Sequence, residues 1–224
     1  MNFLSHFYFD RHTTDPNLVL GTALPDLVKN ARKDWNLHPE KKASLFRDGY
    51  ESSILIGWKR HLAVDRYFHN SAFFTEHTHT IRTAIAPVLK DSSVRPSFLA
   101  HISLELMLDS ILLTENIIDP EDFYTRLRQS DRAALNRFLE LNMLDDTPHF
   151  FKFFDQFIES EYLNRYREAH NIMYALGRVC MRVWKDPLNE TQTLQLTAIL
   201  TNYNKHLLND FMSIFKDIEE GLRR

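Results

Sequence analysis

An all-α fold is what this sequence predicts, on three observations. Apolar residues recur at three- and four-residue spacing almost throughout, while alternation of period two is hard to find. Five glycines and eight prolines in 224 residues leave little material for hairpins and tight turns. Proline and acidic residues stand where the periodic stretches begin, as they do at helix starts.

The stretches follow in order. "NFLSHFYF" is aromatic and apolar around His6. In "LVLGTALPDLVKN", Gly21 allows a close backbone approach, and Asp26 after Pro25 reads as the cap of a following helix. "ESSILIGWKRHLAVDRYF" carries a helical stripe through Ile54, Trp58, Leu62 and Phe68, and "TEHTHT" reads as a loop or surface patch. Pro96 and Ser97 suit the first turn of a helix with a stripe through Leu99, Ile102, Leu106 and Ile111. Asp119 is the expected N-cap before Pro120 at the first helical position, and "LDDTPHFF" opens another helix. The aromatic stripe of "HFFKFFDQFIESEYLNRYREA" reads as core or subunit contact, with Arg165, Arg167 and Glu168 on a solvated face. "KDPLNE" separates two long helices. Roughly eight to ten helices result. No repeat or linker interrupts them, so one compact domain over 1–224 is the economical organisation. Residues 1–115 carry the candidate chemistry, and amphipathic helices of 116–224 pack on them. A homo-oligomer would form through the aromatic helices of 147–184.

Composition narrows the function classes. A formal net charge of −3 gives no electrostatic case for nucleic acid. The single cysteine, Cys180, makes no internal disulfide and sits among helix-core residues as an inert thiol. No signal sequence is visible, and no apolar run approaches the ~18 residues of a spanning helix, so a cytoplasmic protein is expected. There is no P-loop, dinucleotide-binding glycine motif, His-Glu-x-x-His or nucleophile elbow.

Chemistry is concentrated in two columns. "GWKRHLAVDRYFHNS" places His61, Asp65 and His69 at four-residue steps, and "AHISLELMLDS" does the same with His101, Glu105 and Asp109. Each step of four on a helix drifts only ~40°, so neighbouring members can point into one cleft. His61 and Asp65 can share one metal, or Asp65 can orient the His61 ring from outside it. One such pair alone is more often a surface hydrogen bond. The apolar setting of the second column changes the balance, because Glu105 and Asp109 are the only charges in "LELMLDSILL". A buried carboxylate costs several kcal/mol unless paired or coordinated to a cation. With His6 and Asp26, the residues His61, Asp65 and Asp109 make a mixed nitrogen and oxygen ligand set. Without thiolates, that set suits Mn²⁺, Fe²⁺, Zn²⁺ or Mg²⁺ in an open site able to activate a water. His77 and His79 fall in the polar patch, and His12, His38, His149, His170 and His206 have no local partner that suggests chemistry.

"MNFLSH", "GTALPD", "GWKRHLAVD" and "LELMLD" together resemble the acyl carrier protein phosphodiesterase family. That family is a helical relative of the HD-domain metal phosphohydrolases. The resemblance covers about residues 1–115. It implies an HD-like fold and hydrolysis of the phosphodiester joining 4′-phosphopantetheine to acyl carrier protein, with Mn²⁺ favoured. It makes His6, Asp26, His61, Asp65 and Asp109 metal ligands or their immediate supports. Three positions depart from the family: Glu105 and His69 stand where it has aspartates, and Ser110 where it has histidine. "GTALPD" is also similar to a segment of the zinc-dependent phospholipase C group.

The expected activity is metal-dependent phosphodiester hydrolysis, with Asp65, Glu105, His69 and His101 as the catalytic residues and the last three as proton carriers. Lys59, Arg60 and Arg66 would contact an acidic carrier protein. The competing readings are a zinc-phospholipase-C-like phosphoesterase, a binding or scaffold protein of the same fold that has lost activity, and a helical interaction module whose histidine columns are incidental.

Overall fold

Caps and prolines decide where the helices of this computed structural model start. It describes residues 1–223, and the side chains of Ala169 and His170 lie outside what is described. Asp15 accepts from the backbone N–H groups of Asn17 and Leu18 ahead of Pro16. Asp119 accepts from Glu121 ahead of Pro120, as its sequence predicts, and Asp131 and Asp146 cap the two helices after it. Asn189 and Gln192 form a reciprocal capping box.

Among the described residues there are eleven α-helices: α1 (Phe3–Tyr8), α2 (Pro16–Ala31), α3 (Gly49–His69), α4 (Ala72–Ile85), α5 (Pro96–Thr114), α6 (Pro120–Gln129), α7 (Arg132–Leu141), α8 (Thr147–Ser160), α9 (Ala169–Met181), α10 (Glu190–Leu207) and α11 (Met212–Arg223). Two 3₁₀ segments, Pro39–Leu45 and Tyr162–Arg167, complete the described residues, among which there is no strand. The all-α class is therefore as the periodicity predicts, with more helices than expected. The surplus comes from breaks that carry neither proline nor glycine. Ser130 and Asp131 separate α6 from α7, and Leu208–Phe211 separates α10 from α11.

The chain divides into two compact units, and each draws on both halves of the sequence. The first comprises Met1–Asp65 and Ile118–Leu163. Its α2 buries Val19, Leu20, Ala23, Leu24, Leu27 and Val28. An aromatic cluster joins α1, α6 and α8: the ring of Phe3 lies 4.9 Å from that of Phe157, and Phe7 lies 5.4 Å from Phe123. The aromatic stripe of α8 thus places Phe150, Phe154 and Phe157 in this core. Where α2 meets α3, glycine is obligatory on both sides. A Cβ on Gly21 would stand 2.1 Å from the carbonyl oxygen of Ile54, and one on Gly57 would stand 2.1 Å from that of Leu18. On the α3 stripe Ile54, Trp58 and Phe68 are buried, whereas Leu62 is 42% exposed, so the expected stripe fails at that position.

The second unit comprises Arg66–Ile117 and Asn164–Arg224. Its α5 packs against α4, α9 and α10. That helix is buried nearly all round from Leu104 to Leu113, which explains its apolar sequence. Contrary to the sequence expectation, α5 is long and apolar enough to cross a membrane, although most of it is buried. Arg165, Arg167 and Glu168 are exposed, as expected, and the Arg167 guanidinium also donates at 2.7 Å to the carbonyl of Leu113 at the end of α5, which accepts from the Asn116 N–H as well. "TEHTHT" is helical rather than a loop, with Thr75, Glu76, His79 and Thr80 exposed as a surface patch would be and His77 buried. It lies in α4, where Phe73, His77, Ile81 and Ile85 form the buried edge. The Tyr203 hydroxyl lies 2.7 Å from His77 Nδ1.

Candidate metal centre

Three donor groups of the first unit converge from α1 and α3. His6 comes from the aromatic α1, whose residues are all buried. His61 and Asp65 stand one turn apart on α3. The imidazoles of His6 and His61 are stacked, with centroids 3.9 Å apart and planes inclined by 12°. Nε2 of His6 is 3.2 Å from Oδ1 of Asp65, and Nε2 of His61 is 3.5 Å from Oδ2. The donor atoms of the three side chains all lie within 4.8 Å of one another.

The backbone of α2 selects the tautomer. Nδ1 of His61 is 2.9 Å from the carbonyl oxygen of Thr22, so this nitrogen carries a proton and donates it, and Nε2 is the atom presented to Asp65. Thr22 is itself held, because its hydroxyl donates at 2.7 Å to Oδ2 of the buried Asp10. Arg60 pairs with the other oxygen of Asp10 at 3.1 Å. The glycine crossing of α2 and α3 brings this carbonyl and this imidazole into reach.

The electrostatics of the trio follow from burial and from the charges around Asp65. Burial, with the neighbouring His61, lowers the pKa of His6 to about 3, so its ring is neutral. For His61, burial works downward, but the Asp26 and Asp65 carboxylates outweigh it and hold the pKa above the ordinary histidine value. For Asp65, burial works upward and is outweighed by His6, His61 and the Met1 α-ammonium, which hold its carboxyl well below the usual range. That ammonium donates to Oδ1 at 2.7 Å.

These residues fit a divalent ion. Both ring nitrogens of His6 are buried; neither makes a well-formed hydrogen bond, and Nε2 has only its 3.2 Å approach to Asp65. Burying such nitrogens unpartnered costs about 1–3 kcal/mol, and ligation would offset that cost. Two imidazoles and one carboxylate are the donor set that Zn²⁺, Fe²⁺ and Mn²⁺ accept with positions left open.

The two columns read from the sequence are distributed differently. His61 and Asp65 join His6, whereas His69, at the end of α3, groups with His101 and Glu105 in the second unit. Asp26 caps nothing. It lies inside α2, one turn beyond Thr22, where it acts on His61 by charge from outside the trio. Asp109 is buried on α5 in the second unit. Beside it, the Ser110 hydroxyl donates to the carbonyl of Tyr166 at 2.6 Å. Of the residues expected to meet a partner, Lys59 and Arg66 are exposed, while Arg60 is engaged with Asp10. Sequence reading missed Asp10 and Thr22. A carboxylate closing the aromatic run "NFLSHFYFD" was the available signal for the first; a backbone carbonyl leaves none for the second. Compared with known protein families, curated proteins and solved structures, the chain matches none.

Proposed function

We propose that this protein is a metal-dependent phosphodiester hydrolase whose centre is His6, His61 and Asp65. The observation that carries the reading is the His61 tautomer. An imidazole pinned at Nδ1 by a buried backbone carbonyl, with Nε2 beside a carboxylate and a second, neutral imidazole, is the arrangement of a ligating histidine. A divalent ion bound there polarises a phosphoryl oxygen and acidifies a water. The chain supplies the rest: Asp65 holds negative charge at the centre, Asp10 and Thr22 orient His61, and the burial of α1 keeps bulk water from His6.

The order of "MNFLSH", "GTALPD", "HLAVD" and "LELMLD" supports the finer reading, an HD-like hydrolase acting on 4′-phosphopantetheinyl acyl carrier protein. Mn²⁺ is then the favoured ion, and the exposed cations Lys59 and Arg66 would meet the acidic carrier. The test uses untagged, chelator-stripped protein reloaded with Mn²⁺ or Zn²⁺ and assayed on a chromogenic phosphodiester and on holo-acyl carrier protein. Hydrolysis should require the metal and fall more than ~100-fold in Asp65→Asn with the helical spectrum unchanged. Metal uptake without hydrolysis of either substrate would leave a scaffold that retains the site. No uptake would sink the reading.

A further inference from the structure

The second unit holds another trio, from the end of α3 and from α5. Nε2 of His69 lies 3.1 Å from Nε2 of His101. Oε1 of Glu105 is 3.0 Å from the His101 nitrogen and 3.4 Å from that of His69. Three donor atoms thus form a nearly equilateral triangle, and Phe74 of α4 stands edge-on to both rings at 5.0 Å, fixing their planes.

Hydrogen bonding alone satisfies this triangle poorly. If both Nε2 atoms are bare, two lone pairs and a carboxylate oxygen face one another. If both are protonated, two N–H groups compete for one oxygen, and if only one is, the remaining bare nitrogen still faces the carboxylate oxygen at 3.0 or 3.4 Å. The edge lengths have a different explanation. Donor atoms ~2.1 Å from an ion are ~3.4 Å apart in a tetrahedron and ~3.0 Å apart in an octahedron. The observed 3.0, 3.1 and 3.4 Å span that range, and an ion equidistant from the three atoms at that bond length would sit ~1 Å out of their plane. Side-chain exposures of 32% for His69 and 39% for His101 leave the ion accessible, while Glu105 at 13% is mostly enclosed. His101 also borders an open depression with Arg95, Phe98 and Trp184.

We infer that His69, His101 and Glu105 form a second metal site that takes a late first-row divalent ion such as Zn²⁺ or Co²⁺, with water completing its coordination. This site does not depend on the first. The three residues act as ligands rather than only as proton carriers.

Metal binding to the untagged, chelator-stripped full chain distinguishes the two sites. Zn²⁺ stoichiometry is measured by calorimetry and elemental analysis, and Co²⁺ by its visible absorption. The His69→Ala/His101→Ala protein should bind one ion fewer than the wild type and lose the matching part of the cobalt spectrum. Glu105→Gln, a milder change, should weaken the same ion at least ~10-fold, and Asp65→Asn should leave it in place. The proposal is overturned if the double variant, folded by circular dichroism, binds as much metal as the wild type, or if the only ion bound is the one that Asp65→Asn removes. In that last case the first centre stands without the second. An ion lost only in the double variant gives the reverse.

Discussion

Replacing Gly57 with alanine tests the link between helix packing and the metal centre. The added Cβ would meet the Leu18 carbonyl oxygen at 2.1 Å, the Thr22 nitrogen at 2.6 Å and the Gly21 carbonyl carbon at 2.9 Å. All three are backbone atoms, so no flexible side chain can swing aside. Restoring ordinary contact requires α3 to retreat from α2 by about 1 Å. Overpacking of this kind costs ~3 kcal/mol, the upper part of its usual range, while alanine returns ~1 kcal/mol of helix propensity. A net loss of ~2 kcal/mol should appear as a lower urea midpoint. His61 lies one turn further along α3, so the same retreat stretches its 2.9 Å bond to Thr22 beyond hydrogen-bonding range. Metal affinity at the first centre should then fall ~10- to 100-fold, as for loss of an orienting partner. Gly177→Ala in α9 is the control, because nothing lies within 4 Å of its added Cβ. It should gain ~0.5–1 kcal/mol and leave metal binding alone. A Gly57→Ala protein with wild-type stability and metal affinity would refute the reasoning.

Two further expectations concern the cores. The fully buried Tyr124 hydroxyl accepts from the backbone N–H of Leu163 at 3.1 Å, so Tyr124→Phe should cost ~1–3 kcal/mol by leaving that donor unpaired; an unchanged urea midpoint would deny the bond this role. Burial raises the thiol pKa of Cys180 from 9.0 to about 11, so the native chain keeps a proton that the unfolded chain releases. Its contribution is therefore complete below pH ~9 and lost as pH rises to ~11, worth ~2–3 kcal/mol by linkage. The difference between wild type and Cys180→Ala, followed by urea unfolding from pH 8 to 11, reads it. Rapid labelling of the native thiol at pH 8 would contradict this burial.

Local signals with a backbone cause were legible in the sequence. Asp119–Pro120 and Pro96 mark helix starts because cap and proline chemistry act within one turn. Gly21 announced a close approach, and the approach is there. Signals that depend on tertiary surroundings were not legible. His77 reads as polar between Glu76 and Thr78, yet it occupies the buried edge of α4 at four-residue steps from Phe73 and Ile81, its polarity met by Tyr203. Leu62 reads as core by spacing and is exposed. Arg60 reads as a free cation, although the carboxylate that binds it is fifty residues earlier.

The histidine column of α3 shows how much of the site arithmetic was already in the sequence. Four residues turn the helix ~40° past a full turn and advance it ~6 Å, so His61 and Asp65 can reach one ion. Eight residues turn it ~80° and advance it ~12 Å, which no ion held by bonds of ~2 Å can bridge from a single helix. A column of three therefore has to divide, and its last member needs donors from another element. His69 finds them in His101 and Glu105, which repeat the same one-turn spacing on α5. The same limit sends His61 and Asp65 to His6 for their third donor, and only folding shows which histidine of the chain supplies it.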